Sequence, residues 1–158
     1  VNMGRPILEP KKIPFNAQQQ EKTYILKADS ENVMCGVVSM GNPHCVMQVE
    51  DVHSDLVNQL GPELEKHEQF PKRVNAGFMQ IKDRGEMDLR VYERGAGWTL
   101  ECGTGACAAM VVAHSWGLVD DEVQVNLPGG SLTICWDGEG DVIMKGPAER
   151  VFEGRIQV

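Results

Sequence analysis

Cys102 is the most chemically loaded position in this chain. It stands in the stretch Tyr92-Glu93-Arg94-Gly95-Ala96-Gly97-Trp98-Thr99-Leu100-Glu101-Cys102-Gly103-Thr104-Gly105-Ala106, where an alternating segment gives way to an alanine-rich apolar run. A thiol at the mouth of a helix faces unpaired backbone N–H groups and the positive end of the helix dipole, and both favour the thiolate. That setting lowers a cysteine pKa from ~8.5 to about 3.5–7.5 and suits a base, a nucleophile or a redox centre. The alternative, common for any free cysteine, is burial as a small apolar residue. Gly103 and Gly105 leave the backbone beside the sulfur open, a cradle for an anion. The pair Glu93-Arg94 offers a carboxylate for an ammonium group and a guanidinium for a carboxylate, the two halves of an amino acid. Its plain alternative is an exposed ion pair of little energetic weight.

Three further residues carry polar chemistry. Asn42 and His44 lie in Gly41-Asn42-Pro43-His44, a turn by its Gly and Asn-Pro content. Asn75 opens an apolar run after Arg73-Val74. Each reads either as a ligand anchor or as an ordinary turn or strand-end residue. His44 could also orient or tune a neighbouring group. Gly103-Thr104-Gly105-Ala106 lacks the Lys-Ser/Thr ending of a nucleotide phosphate loop.

The elements that must position these residues follow from periodicity. Thr23–Ala28, Met34–Met40 and Cys45–Val49 read as strands, the last two placing Asn42 and His44 at the tip of a β-turn-β unit. Asp51–Leu60 repeats apolar residues four apart and predicts a helix, which Gly61-Pro62 should break, with Glu63–Glu68 adding a further helical turn. Val74–Ile81 and the alternating Met87–Tyr92 predict two strands meeting at Asp83-Arg84-Gly85-Glu86. Gly105–Ala113 contains no charged residue, so a helix there must be buried on every side, with Gly117 as its C-terminal cap. Val123–Leu127, Ser131–Trp136, Asp141–Lys145 and Arg150–Val158 read as further strands, and residues 1–16 as an extended entry or linker. Many strands around one enclosed helix predict an α+β fold.

Composition narrows the function. The 158 residues suit one domain or one domain with an appendage, and 42% are hydrophobic, enough to bury a core. A net charge of −8 without a basic stripe argues against nucleic acid as a partner. No apolar run reaches the ~20 residues of a membrane span, and the first residues show no secretory leader. Five cysteines, an odd number at irregular spacing, do not form a disulfide framework. Reduced thiols suit the cytoplasm. No C-x-x-C pair exists and the four histidines are scattered, so no metal site is expected. Cys35, Cys45, Cys107 and Cys135 read as core residues.

Taken together, Glu93-Arg94-Gly-x-Gly, Thr99-Leu100-Glu101-Cys102-Gly103-Thr104-Gly105-Ala106, Gly41-Asn42-Pro43-His44, Arg73-Val74-Asn75 and Gly146-Pro147-Ala148 with Val151-Phe152-Glu153-Gly154 resemble, in order, the motifs of diaminopimelate epimerase. The resemblance implies a cofactor-independent enzyme that interconverts LL- and meso-diaminopimelate for lysine and cell-wall precursor synthesis. It implies a curled mixed or antiparallel sheet around a central buried helix, two such lobes per protein, and a catalytic cysteine from each. Cys102 matches one of that pair. His44 and Glu93 match groups that assist the thiols, and Asn42, Asn75, Glu93, Arg94, Gly103 and Thr104 match substrate contacts. The first half of the family pattern, with the other cysteine motif, is absent. The chain therefore reads as the C-terminal lobe, residues 1–147, plus a terminal strand, 148–158, that in the family returns to the N-terminal lobe. Expected partners are that lobe, the substrate and, at full length, a second copy in a homodimer. The lobe alone should be inactive. Competing readings are a proline- or hydroxyproline-type racemase lobe and a non-catalytic binding module.

Overall fold

The computed structural model describes every residue except 30, 149 and 158. A short 3₁₀ turn at Pro10–Lys12 precedes β1 (Tyr24–Lys27), β2 (Asn32–Ser39), β3 (Pro43–Gln48), α1 (Asp55–Glu65), β4 (Asn75–Asp83), β5 (Glu86–Glu93), β6 (Gly97–Trp98), α2 (Gly103–Ser115), β7 (Glu122–Leu127), β8 (Gly130–Cys135) and β9 (Ile143–Lys145). The strands form one mixed sheet in the order β1-β2-β3-β4-β5-β7-β8-β9, with β6 added to β5. The fold is α+β, as the residue pattern predicts.

Two joins in the sheet are parallel, β3 with β4 and β5 with β7. Each needs a crossover, and each crossover carries a helix. The β4–β5 hairpin reverses strand direction between them. Crossovers of one hand must then fall on opposite faces of the sheet. The two cores obey this. Val46, Met79, Leu89 and Val91 pack with α2 on one face. Cys45, Met47, Ala76 and Phe78 pack with Val57, Leu60 and Leu64 of α1 on the other.

The α2 helix is buried continuously from Gly105 to Ala113 and touches β2, β3, β4, β5 and β8. Its residues are small and uncharged because sheet meets them from every direction. At its end Gly117 takes φ +72°, the left-handed cap, and donates its N–H to the His114 carbonyl.

The α1 helix runs through Gly61-Pro62 rather than stopping there. Packing overrides the local break. A Cβ at Gly61 would stand 3.0 Å from both Trp98 and Tyr92, so glycine lets the helix lie against those rings. Burial of Leu60 and Leu64 offsets the ~3 kcal/mol that an internal proline costs. Ser54 caps the start, accepting from the Val57 N–H at 3.3 Å.

Three other expectations are corrected. Residues 1–16 are no linker: Ile13 and Phe15 are buried, and Asn2 and Ile7 bridge to Ile143 and Ser39. Cys135 is half-buried and donates to Glu122 Oε2 at 3.1 Å. No strand forms over residues 150–157, where Val151, Phe152 and Ile156 are exposed. Residue 158 of that predicted strand, and residue 149 of the 148–158 segment, lie outside the described ones.

Candidate active site at the mouth of α2

Strand ends bring the polar residues together. His44 pairs with Asn75 in the parallel β3–β4 ladder, and Ala76 pairs with Tyr92 across β4–β5. Asn75 and Glu93 therefore end their strands side by side at the N-terminus of α2. Cys102 is the N-cap residue there, in an extended conformation, and its own side chain makes no capping bond.

The contacts fall into three neighbouring groups. His44 Nε2 lies 3.0 Å from Asn42 Oδ1 and 3.1 Å from Thr104 Oγ1. Thr104 Oγ1 lies 3.7 Å from Cys102 Sγ. Asn75 donates through Nδ2 to the Pro43 carbonyl at 3.0 Å and accepts from the Arg94 N–H at 2.8 Å. The Arg94 guanidinium donates to the Lys72 carbonyl at 3.0 Å. Thr99 Oγ1 donates to Glu93 Oε1 at 2.6 Å. With Gly103 beginning the helix, the eight residues singled out from the sequence lie around this mouth, Arg94 through its backbone N–H, its guanidinium being turned to Lys72.

His44 is in β3 and fully buried, not at an exposed turn tip. Burial, aided by the Arg94 charge, lowers its pKa to about 3, so the ring is neutral at pH 7. Asn42 Oδ1 can only accept, so Nε2 carries the proton. Thr104, held as acceptor by the same N–H, can turn its own hydroxyl proton toward the sulfur. His44 Nδ1 is buried without a partner.

The thiol corrects the sequence expectation. Burial pushes the Cys102 pKa up, and the Glu93 carboxylate adds to this, against opposing help from the Thr104 hydroxyl and the Gly105 N–H. The helix mouth is real, but here loss of water outweighs it. Cys102 therefore stands as a thiol at neutral pH, only 6% exposed. A Cβ at Gly105 would lie 3.0 Å from the sulfur and 2.9 Å from Val91, so only glycine lets the thiol seat over the first turn. Cys107, one turn further in, is driven up to about 12, chiefly by burial. It behaves as core.

Two partners were not evident from the residue pattern. Thr99 holds Glu93, and Glu65 at the end of α1 accepts from Arg73 and from the Gly95 N–H. An acid in the last turn of a helix, where the dipole disfavours it, was the available signal for Glu65. The break expected at Gly61-Pro62 separated that turn from the rest of α1. Among the described residues no group of three or more His, Cys, Asp or Glu side chains is placed to hold a metal ion, and no helix is long and apolar enough to cross a membrane.

A mixed sheet wound around a buried helix, with a thiol at the helix mouth, is a lobe of the epimerase and isomerase type. The same lobe recurs in solved structures. Methylitaconate-delta-isomerase matches with a TM-score of 0.59 at 15% identity, over 93% of this chain and 50% of that one. A hydroxyproline epimerase from Agrobacterium vitis, solved with trans-4-hydroxy-L-proline, gives 0.53 at 16% identity, over 77% and 46%. A Bacillus anthracis phenazine biosynthesis protein of the PhzF family gives 0.52 at 17% identity, over 77% and 39%. The chain thus spans half or less of the length of these relatives in fold. The sequence profile of diaminopimelate epimerase matches residues 36–151, and the chain belongs to that family.

Proposed function

We propose that this chain is the C-terminal lobe of a cofactor-independent epimerase that interconverts LL- and meso-2,6-diaminopimelate. The observation that carries the reading is the clustering of Asn42, His44, Asn75, Glu93 and Thr104 around Cys102 at one helix mouth, with the Arg94 backbone held there by Asn75. Epimerisation takes the α-proton from one face of the substrate and returns a proton to the other. In one direction a thiolate of the N-terminal lobe removes the α-proton, and the Cys102 S–H gives its proton to the opposite face. That leaves Cys102 as thiolate and the other cysteine as thiol, ready for the reverse direction. Cys102 as a thiol suits the donor role. Negative charge left on the substrate needs fixed dipoles rather than water. The Gly103 and Thr104 N–H groups receive the α-carboxylate at the dipole end of α2. Neutral His44 and Glu93 tune the thiol. Arg94 and the two asparagines favour a substrate carrying a second amino-acid end over a single-ended one such as proline.

The test joins this chain to its complementary lobe and follows α-proton exchange in D₂O. Diaminopimelate should exchange and epimerise, Cys102→Ser should abolish both, and this chain alone should do neither. Turnover of proline or hydroxyproline in preference to diaminopimelate would transfer the site to a racemase of that type. Loss-free Cys102→Ser turnover would leave only a binding lobe.

A further inference from the structure

We propose that Glu65 is a positioning residue for substrate recognition, fixing the loop that carries Glu93 and Arg94. The proposal rests on the reading of those two residues as substrate contacts. Glu65 closes α1 on the sheet face opposite α2, and its side chain is only 3% exposed. Its Oε1 accepts from Arg73 Nη1 at 3.2 Å and from the Gly95 N–H at 3.3 Å. Its backbone carbonyl accepts from the Val74 N–H at 3.2 Å. One residue thus grips both segments that frame the site, Arg73-Val74-Asn75 and Glu93-Arg94-Gly95.

Two features separate this from ordinary stabilisation. A buried carboxylate costs desolvation, and in the last turn of a helix it also opposes the dipole. Thermodynamics alone would favour a neutral residue there. The backbone it holds is also set in an unusual shape. Arg73 has φ +61°, the only non-glycine residue with positive φ among those described, and Gly95 has φ +77°. Such conformations persist where surroundings over-determine them. The turn at Arg73 presents the Lys72 carbonyl to the Arg94 guanidinium, and Arg94 N–H reaches Asn75. Releasing Glu65 frees both ends of that bracket, so Arg94 moves relative to Cys102 while the thiol stays on α2.

Two variants test it. Glu65→Gln keeps an acceptor for the Gly95 N–H and loses the charge facing Arg73; Glu65→Ala loses both. In this chain, amide exchange at Gly95 should quicken about 3- to 10-fold in Glu65→Ala, the worth of one hydrogen bond. In the two-lobed protein, kcat/KM for diaminopimelate should fall by up to ~100-fold, the scale of a 1 Å misplacement, with KM carrying most of it. Glu65→Gln should fall between this and the native protein, its melting temperature unchanged or raised. A cycle with Arg94→Ala should be non-additive. Unchanged Gly95 exchange, or a lowered melting temperature with native kinetics, overturns the proposal. If Glu65→Ala does not fold, Glu65→Gln carries the same tests. Unaltered KM in Arg94→Ala alone would instead defeat the substrate reading, whereas loss in Arg94→Ala with native Glu65 variants defeats only the role of Glu65.

Discussion

The two helices solve opposite problems with opposite residues. The α2 helix is held from all sides, so it has no polar face and its character is set by what surrounds it. The α1 helix packs on β4 and β5 along one side and shows Asp55, Leu56, Asn58 and Gln59 to solvent. The dry helix presents its N-terminus to the site, where a thiol, a neutral imidazole and two strand ends converge. The half-wet helix contributes its C-terminus, where one buried acid reaches across to the loop. A fully enclosed helix gives the chemistry a fixed, water-poor platform. A one-sided helix can lend a side chain to that platform without belonging to it.

This contrast can be broken in order of size. The largest effect is acid. Neutral His44 at the α2 mouth has a folded pKa of about 3 against an ordinary 6.5. The unfolded chain therefore binds the extra proton, so this contribution is whole above pH 6.5 and is lost as pH falls toward 3. It amounts to something on the order of 5 kcal/mol. Acid unfolding followed by circular dichroism should show it, and His44→Gln should flatten the dependence in that window. A variant as acid-sensitive as the native chain would mean the mouth of α2 is wetter than described. Next, Met110→Ala in α2 should cost about 2–5 kcal/mol in urea unfolding, since Met110 is 0% exposed and its loss leaves a cavity. Gly61→Ala in α1 should cost about 1–3 kcal/mol by pushing Tyr92 and Trp98. Ser54→Ala should cost ~1 kcal/mol through loss of the cap. Leu56→Ala, on the open side of α1, should stay within about 0.5 kcal/mol. An α1 series as costly as the α2 position would erase the distinction.

Much of this was legible in the residues, for reasons that differ by region. The α2 segment announced itself because a charge-free run of helical length has only one solution in water. Strands β5, β7 and β8 showed through their alternation. The candidate site residues were found through resemblance to the motifs of the family, and the ladder β3–β4–β5 explains why segments distant in sequence meet. The failures have physical causes too. Gly61-Pro62 is a break by propensity, but Tyr92 and Trp98 supply a surface that only a glycine can approach, and burial of Leu60 and Leu64 offsets the proline. Residues 1–16 lack periodicity, yet Ile13 and Phe15 fill the core beside α1, and no local pattern encodes such filling. The raised Cys102 pKa was missed because a helix terminus is visible in sequence and desolvation is not. Residues 150–157 form no strand because a strand needs a partner, which the described residues do not provide and which the family resemblance places in the other lobe.

The two parallel joins have a consequence for time rather than structure. A hairpin can zip from its turn, but β7 finds β5 only after the chain between them has made β6, α2 and the following loop. Closure of such distant pairs spends chain entropy before any ladder repays it, which slows the search. The lobe should therefore refold on the millisecond-to-second scale typical of non-local sheets, with the β5–β7 ladder among the last contacts made. Until then the greasy α2 segment is unshielded, and it is in this interval that newly made chains are most prone to stick to one another.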